Sequence, residues 1–118
     1  MVTMREFSRT SSAFRPEHGI DIARWPMPTA APVAPPFAAM WCVVPPSSAS
    51  RPDAHPEVEL AVVVQGRGTF QVDGDRLDVA PGSAVLFEPA ERHVIHNGSD
   101  DEQLVVLSVY WMPSDGAS

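Results

Sequence analysis

Eight of the 13 prolines in this 118-residue chain fall before residue 51: Pro16, Pro26, Pro28, Pro32, Pro35, Pro36, Pro45 and Pro46. Proline fixes φ and has no amide hydrogen, so such density excludes long helices and central strands there. Residues 1–36 are therefore read as an irregular proline-rich arm with one or two short edge strands. Its apolar side chains, Trp25, Met27 and Val33, with Phe37 just beyond, need a surface to lie on, either the chain's own body or a partner subunit.

From Phe37 onward the pattern is β. Phe37 to Val44 reads as one strand and Val58 to Gln65 as a second, rich in β-branched residues and too apolar to face water on both sides. Thr69–Val72 and Asp75–Val79 flank Asp73-Gly74, a strong hairpin signal that predicts a type I′ turn with positive φ at both centres. Pro81-Gly82 marks another turn. Ala84–Phe87, His93–His96 and Leu104–Trp111 complete a set of short, evenly spaced strands. That spacing predicts an all-β sandwich or barrel, with the arm at 1–36, the barrel at 37–113 and a flexible tail at 114–118.

Charge and composition narrow the function. The net charge is −7 and the sequence has no lysine, so every formal positive charge is an arginine. An acidic chain repels phosphate backbones, and nucleic acid is not an expected partner. Without lysine, neither a Schiff base nor a lysine general base can form. Cys42, the one cysteine, sits in the apolar run Met40-Trp41-Cys42-Val43-Val44 and is expected to be a buried, inert thiol. No stretch is long and apolar enough for a membrane span, and the N-terminus has no apolar signal region, so a cytoplasmic protein is expected.

The chemistry-bearing residues cluster in Asp53-Ala-His55-Pro-Glu57-Val-Glu59. Positions 53, 55, 57 and 59 share parity, so in an extended chain they point one way, while Ala54, Pro56, Val58 and Leu60 point the other. If the polar face looks inward, it makes a pocket with oxygen and nitrogen ligands for a divalent metal. If it looks outward, it is a solvated surface; these residues alone leave both readings open. His93 follows further on. His96 has the opposite parity and should face away from it.

The spacing of these residues resembles that of the cupins. Their first motif, G(X)5HXH(X)3-4E(X)6G, is matched by Asp53-X-His55-X3-Glu59-X6-Gly66. Their second, G(X)5PXG(X)2H(X)3N, is matched by Gly82 to His93 at the usual overall spacing and then Asn97. The resemblance covers about residues 38–111. It implies a single jelly-roll barrel and a metal held by His55, Glu59 and His93. Two departures stand out. Asp53 replaces the first histidine of the family pair, as a harder fourth ligand or as a residue swung aside. In the second motif Pro89 comes one place late and Glu91 stands near the usual glycine, so the loop before His93 should be reshaped.

The resemblance implies a metal-dependent enzyme acting on a small molecule, with one divalent ion (Fe, Zn, Mn or Ni) and with Glu57 or Asp53 as the proton-transfer group. Isomerisation, cyclisation, lyase and oxygenase chemistry all occur on this fold, and small cupins from GC-rich genomes often act in natural-product pathways. Pro35-Pro-Phe37-Ala-Ala-Met-Trp41-Cys-Val-Val together with Leu107-Ser-Val-Tyr-Trp111 also resembles cupin modules that rearrange an ester-linked pair of amino acids into a hydrazine. A non-catalytic small-molecule-binding cupin and a dimeric accessory protein are the alternatives. A homodimer is expected, since small cupins commonly pair.

Overall fold

The computed structural model describes residues 4–114; residues 1–3 and the 115–118 part of the expected tail lie outside it. The described chain is all β. Its ten strands are β1 (Arg15–Glu17), β2 (Ile20–Arg24), β3 (Ala38–Val44), β4 (Ser48–Ala49), β5 (Val58–Gln65), β6 (Gly68–Val72), β7 (Asp75–Val79), β8 (Ala84–Phe87), β9 (His93–Asn97) and β10 (Leu104–Trp111). They form two antiparallel sheets. One has six strands in the order β1-β2-β3-β10-β5-β8, and the other has four in the order β4-β9-β6-β7. No described helix is long and apolar enough to cross a membrane.

Alternation sets which residues meet between the sheets. On β5, Glu59, Ala61 and Val63 are buried, while Leu60, Val62 and Val64 face outward. Cross-strand register aligns the inward residues in rows. Ile22, Cys42, Val106 and Val63 share one row, and Arg24, Met40, Ser108 and Ala61 the next. Tyr110 and Glu59 lie in a third, ending on Phe87. The first row joins Ile20, Val44, Ala61, Phe70, Val79, Phe87, Ile95 and Leu104 in the apolar core. A cavity opens along all three rows, lined by Ile22 and Cys42 of the first, Arg24 and Met40 of the second, and Tyr110 and Glu59 of the third.

The arm at 1–36 contributes two strands, both joined to the six-stranded sheet; β1 is at its edge as expected, but β2 lies between β1 and β3 and is not an edge strand. Glu17 pairs with Ile20, so β1 and β2 are linked by His18-Gly19 alone. Both linking residues have positive φ, 52° and 80°. A two-residue loop with both residues left-handed is the type I′ hairpin, and glycine at its second place carries no Cβ strain. The residues before β1 lie on the outer face of the same sheet. Phe7 stacks on Trp25 at 5.2 Å between ring centroids, Trp25 packs on Trp41 at the same distance, and the Trp41 indole donates to the Phe7 carbonyl at 2.9 Å.

Three local expectations are corrected. The β6–β7 loop is Asp73-Gly74 as expected, but only Asp73 has positive φ (51°), so the turn is not type I′. Residues 53–57 are not part of a continuous strand; β5 begins at Val58, and Asp53 makes an isolated bridge with His93. The two-residue strand β4 was not anticipated. Pro52 and Pro56, which have no amide hydrogen, keep residues 52–57 from forming a continuous ladder.

Candidate functional site

Asp53, His55, Glu57, Glu59 and His93 all line one cavity of about 290 Å³ between the sheets. Three devices bring them together. Glu59 is delivered by the alternation of β5. His93 opens β9, and its backbone exchanges two hydrogen bonds with Asp53, at 3.2 and 2.9 Å. His55 is tied to the loop before β9, because the Ala90 amide donates to its carbonyl at 2.9 Å. The polar face therefore looks inward, although most of its stretch is not a strand.

The two imidazoles are arranged alike. His55 Nδ1 lies 3.1 Å from the Glu57 carbonyl and His93 Nδ1 lies 3.2 Å from the Glu91 carbonyl. A carbonyl only accepts, so each Nδ1 carries a proton, and Nε2 is the atom that each ring turns to the cavity. Both Nε2 atoms converge on Glu59 Oε1, at 3.0 Å from His55 and 3.6 Å from His93. The rings meet edge to face at 5.0 Å, and Phe87 stacks on His93 at 4.4 Å and 12°, which fixes that ring's plane. A backbone carbonyl holding the far nitrogen is the usual support of a metal-ligating histidine.

Asp53, His55 and His93 each offer a ligand atom within 4.8 Å of the others. Asp53 is thus beside the histidines rather than swung aside, and this cluster could hold a metal ion. Glu59, expected as a ligand, is outside that cluster, but its Oε1 contacts both rings. The donor set, imidazole nitrogen and carboxylate oxygen, fits a divalent first-row ion.

Burial shapes the charges. It is the largest influence on Glu59 and pushes its carboxyl up, yet the close contact and charge of His93, with the hydrogen bond of His55, outweigh it and hold Glu59 below the usual carboxylate range. For His93, burial again acts first and pushes the imidazole down, but the close contact and charge of Glu59 raise it overall. Cys42, buried at the cavity floor, has its thiol pushed well up by burial and then by the Glu59 charge, so it is inert as a nucleophile.

A family model described as "Cupin domain" matches residues 40–110. The chain belongs to the cupin family. The cupin is also similar to solved structures over nearly its whole length. A cupin 2 conserved barrel domain protein from Salinispora arenicola CNS-205 is 30% identical with a TM-score of 0.77, over 94% of this chain and 89% of that one. A protein from Photorhabdus luminescens is 24% identical with a TM-score of 0.76, over 94% and 88%. A polyketide cyclase from Streptomyces resistomycificus is 21% identical with a TM-score of 0.73, over 92% and 79%, a likeness of fold.

The motif residues that bind no ligand have structural reasons of their own. Asn97 is buried, and its amide nitrogen donates to the carbonyls of Val44, Pro45 and Glu102 at 3.0, 3.2 and 2.8 Å; its oxygen accepts the Ser99 amide at 3.0 Å. It ties the end of β9 to the end of β3 and to the chain before β10. Gly66 has φ of 82°, and a Cβ there would lie 2.3 Å from the Gln103 carbonyl oxygen. In the second motif the glycine place belongs to Ala90, three residues before His93, and not to Glu91: Ala90 takes the positive φ, 66°. Glu88–Glu91 is a turn closed by the Glu91 amide on the Glu88 carbonyl at 3.2 Å, with Pro89 second and the positive φ third. Those are the marks of a type II turn.

Other expectations resolve by parity. His96 faces away from the cavity and bonds Gln71 Oε1 at 2.8 Å. Tyr110 lines the cavity, whereas Trp41 is on the outer face. Sequence reasoning missed His18, Arg24 and Arg51, which also line the cavity. The signal for the first two was present in His18-Gly19 as a two-residue turn between Glu17 and Ile20, but the surrounding prolines pointed to an irregular arm.

Proposed function

We propose that this cupin is a metal-dependent enzyme acting on a small molecule held between its sheets, with His55, Glu59 and His93 as ligands and Asp53 as a fourth. One observation carries the reading. Both histidines have Nδ1 occupied by a backbone carbonyl and both aim Nε2 at the same carboxylate oxygen. When bound, a divalent ion supplies Lewis acidity and, if it is iron, redox chemistry.

The chain's own residues do the rest. Glu57 lines the cavity with its Oε1 3.6 Å from His55 Nδ1, beyond hydrogen-bond range, so its carboxylate is free to take a proton from a molecule in the cavity. Asp53 is the second candidate for that transfer. Ile20, Ile22, Met40 and Ile95 form an apolar wall that limits water around the reacting groups. Isomerisation, cyclisation, elimination, oxygenation and the N–N rearrangement all belong to this class, and the metal's redox character divides them. A small-molecule step in a natural-product pathway fits a cavity of this size. The proposed working form is a homodimer.

Elemental analysis of the purified protein and of two variants tests the reading. His55→Ala and His93→Ala should each lose most of the bound metal while circular dichroism stays that of a folded β protein. Glu59→Gln should lose less, since one neutral oxygen remains. Wild-type metal content in both histidine variants would sink the assignment. A metal-free preparation that retains a small molecule in the cavity would turn the reading to non-catalytic binding.

A further inference from the structure

The cavity has a second pole. Opposite in charge to Asp53, Glu57 and Glu59, it is built from Arg24 and Arg51, with His18 on the turn beside them. The two arginines differ. Arg24 is forked onto Glu17 at 2.5 and 3.1 Å, so its charge is already matched. Arg51 makes no ion pair and no side-chain hydrogen bond among the described residues. It is nevertheless held in place. Its amide donates to the His18 carbonyl at 2.7 Å, and its Cγ packs over Gly19, where an added Cβ would come within 3.5 Å. The type I′ turn of β1–β2 thus supports the backbone and Cγ of an unpaired arginine that lines the cavity.

We propose that Arg51 is a carboxylate-binding subsite and that the substrate class is a small carboxylic acid with a second oxygen-bearing group. A guanidinium forks onto a carboxylate through two parallel N–H donors, a fit an ammonium or amide lacks. Elsewhere an acidic chain of net charge −7 repels anions, so an unmatched cation lining the cavity sets the ligand's sign. Arg51 and Asp53 are two residues apart in extended chain, roughly 7 Å. Both line the same cavity, so a molecule with a short hydrocarbon middle gripped at Arg51 presents its far end to the Asp53–His55–His93 cluster. Ile20, Ile22 and Ile95 give that short hydrocarbon stretch an apolar wall. The cavity volume of about 290 Å³ is about ten liquid-water volumes at ~30 Å³ each, which admits such an acid.

This inference rests on the proposed small-molecule enzyme but is tested apart from the metal. Succinate and its uncharged diamide, succinamide, are titrated by calorimetry into the full chain, as purified and after chelation, with metal content measured in every sample. Succinate should bind at least tenfold more tightly than succinamide. Arg51→Gln should weaken succinate at least tenfold, leave succinamide unchanged and keep wild-type metal content. Arg92→Gln, a charge control outside the cavity, should change nothing. Equal binding of the two probes, wild-type succinate affinity in Arg51→Gln, or no succinate binding at millimolar concentration would each overturn the subsite. Loss of the metal reading appears separately, as metal-free samples in which succinate still depends on Arg51.

Discussion

Single residues in this cupin divide into those that hold the site and those that hold the chain. Asn97 belongs to the second group. Replacing it with alanine removes the donor to three carbonyls and the acceptor of one amide in a place water does not reach. Each stranded buried group costs roughly 1–3 kcal/mol, so Asn97→Ala should destabilise the fold by about 2–4 kcal/mol. The midpoint of urea unfolding measures this, and a shift equivalent to less than about 1 kcal/mol would contradict the tethering role. Asp53 belongs to the first group. It stands where the family pattern has histidine and lies beside His55 and His93. Asp53→His should therefore tighten Zn(II) or Ni(II), which favour imidazole, relative to Mn(II), which favours carboxylate. Competition titration with a metal indicator gives the ratio; no change in the preference would place Asp53 outside the ligand set.

Turns, rather than strands, differ most from their expected form. Three of the segments with positive φ have it for separate reasons: His18-Gly19 as a type I′ hairpin, Ala90 at the third place of a type II turn, and Gly66 under the Gln103 carbonyl. Two opposite substitutions separate these causes. Gly66→Ala puts a Cβ 2.3 Å from a backbone oxygen and adds left-handed strain, so it should destabilise by about 2 kcal/mol or more. Ala90→Gly removes strain of ~1–2 kcal/mol and adds unfolded-state entropy of ~0.4–1 kcal/mol, so it should be neutral or stabilising by up to about 1.6 kcal/mol. Thermal unfolding of both variants checks the signs. The same logic explains why the loop before His93 keeps its place despite a shifted proline: Pro89 occupies the second position of the turn, and the Ala90 amide still reaches His55.

For the molecule as a whole, the outer face of the six-stranded sheet is apolar along entire rows. Leu86, Leu60, Val109 and Ala39 form one, and Ala84, Val62, Leu107 and Trp41 the next. Phe7 and Trp25 cover the Trp41 end. The opposite end is open, with Leu86 54% and Val64 43% exposed beside the edge strand β8. An apolar face ending in an unpaired strand edge invites a second copy. The proposed homodimer should therefore use this end, and Leu86→Arg should shift it to monomer by light scattering while leaving metal content unchanged. A wild-type protein that is monomeric at micromolar concentration would end that proposal.

Much of this was legible in the chain because it is local. Strands β5, β7, β8 and β10 follow from alternation and from turns at their ends, which are properties of a few neighbouring residues. The spacing of His55, Glu59, His93 and Asn97 carried the family because a jelly roll repeats the same strand lengths between the same corners. What proximity across the chain creates was not legible. Whether the 53–59 carboxylates look inward depends on Asp53 bridging to His93, 40 places later. Whether Arg51 enters the cavity depends on a hairpin at residues 18–19 that packs beneath it. Side-chain parity tells which residues agree in direction along one segment; only the closing of two sheets on each other says what lies in that direction.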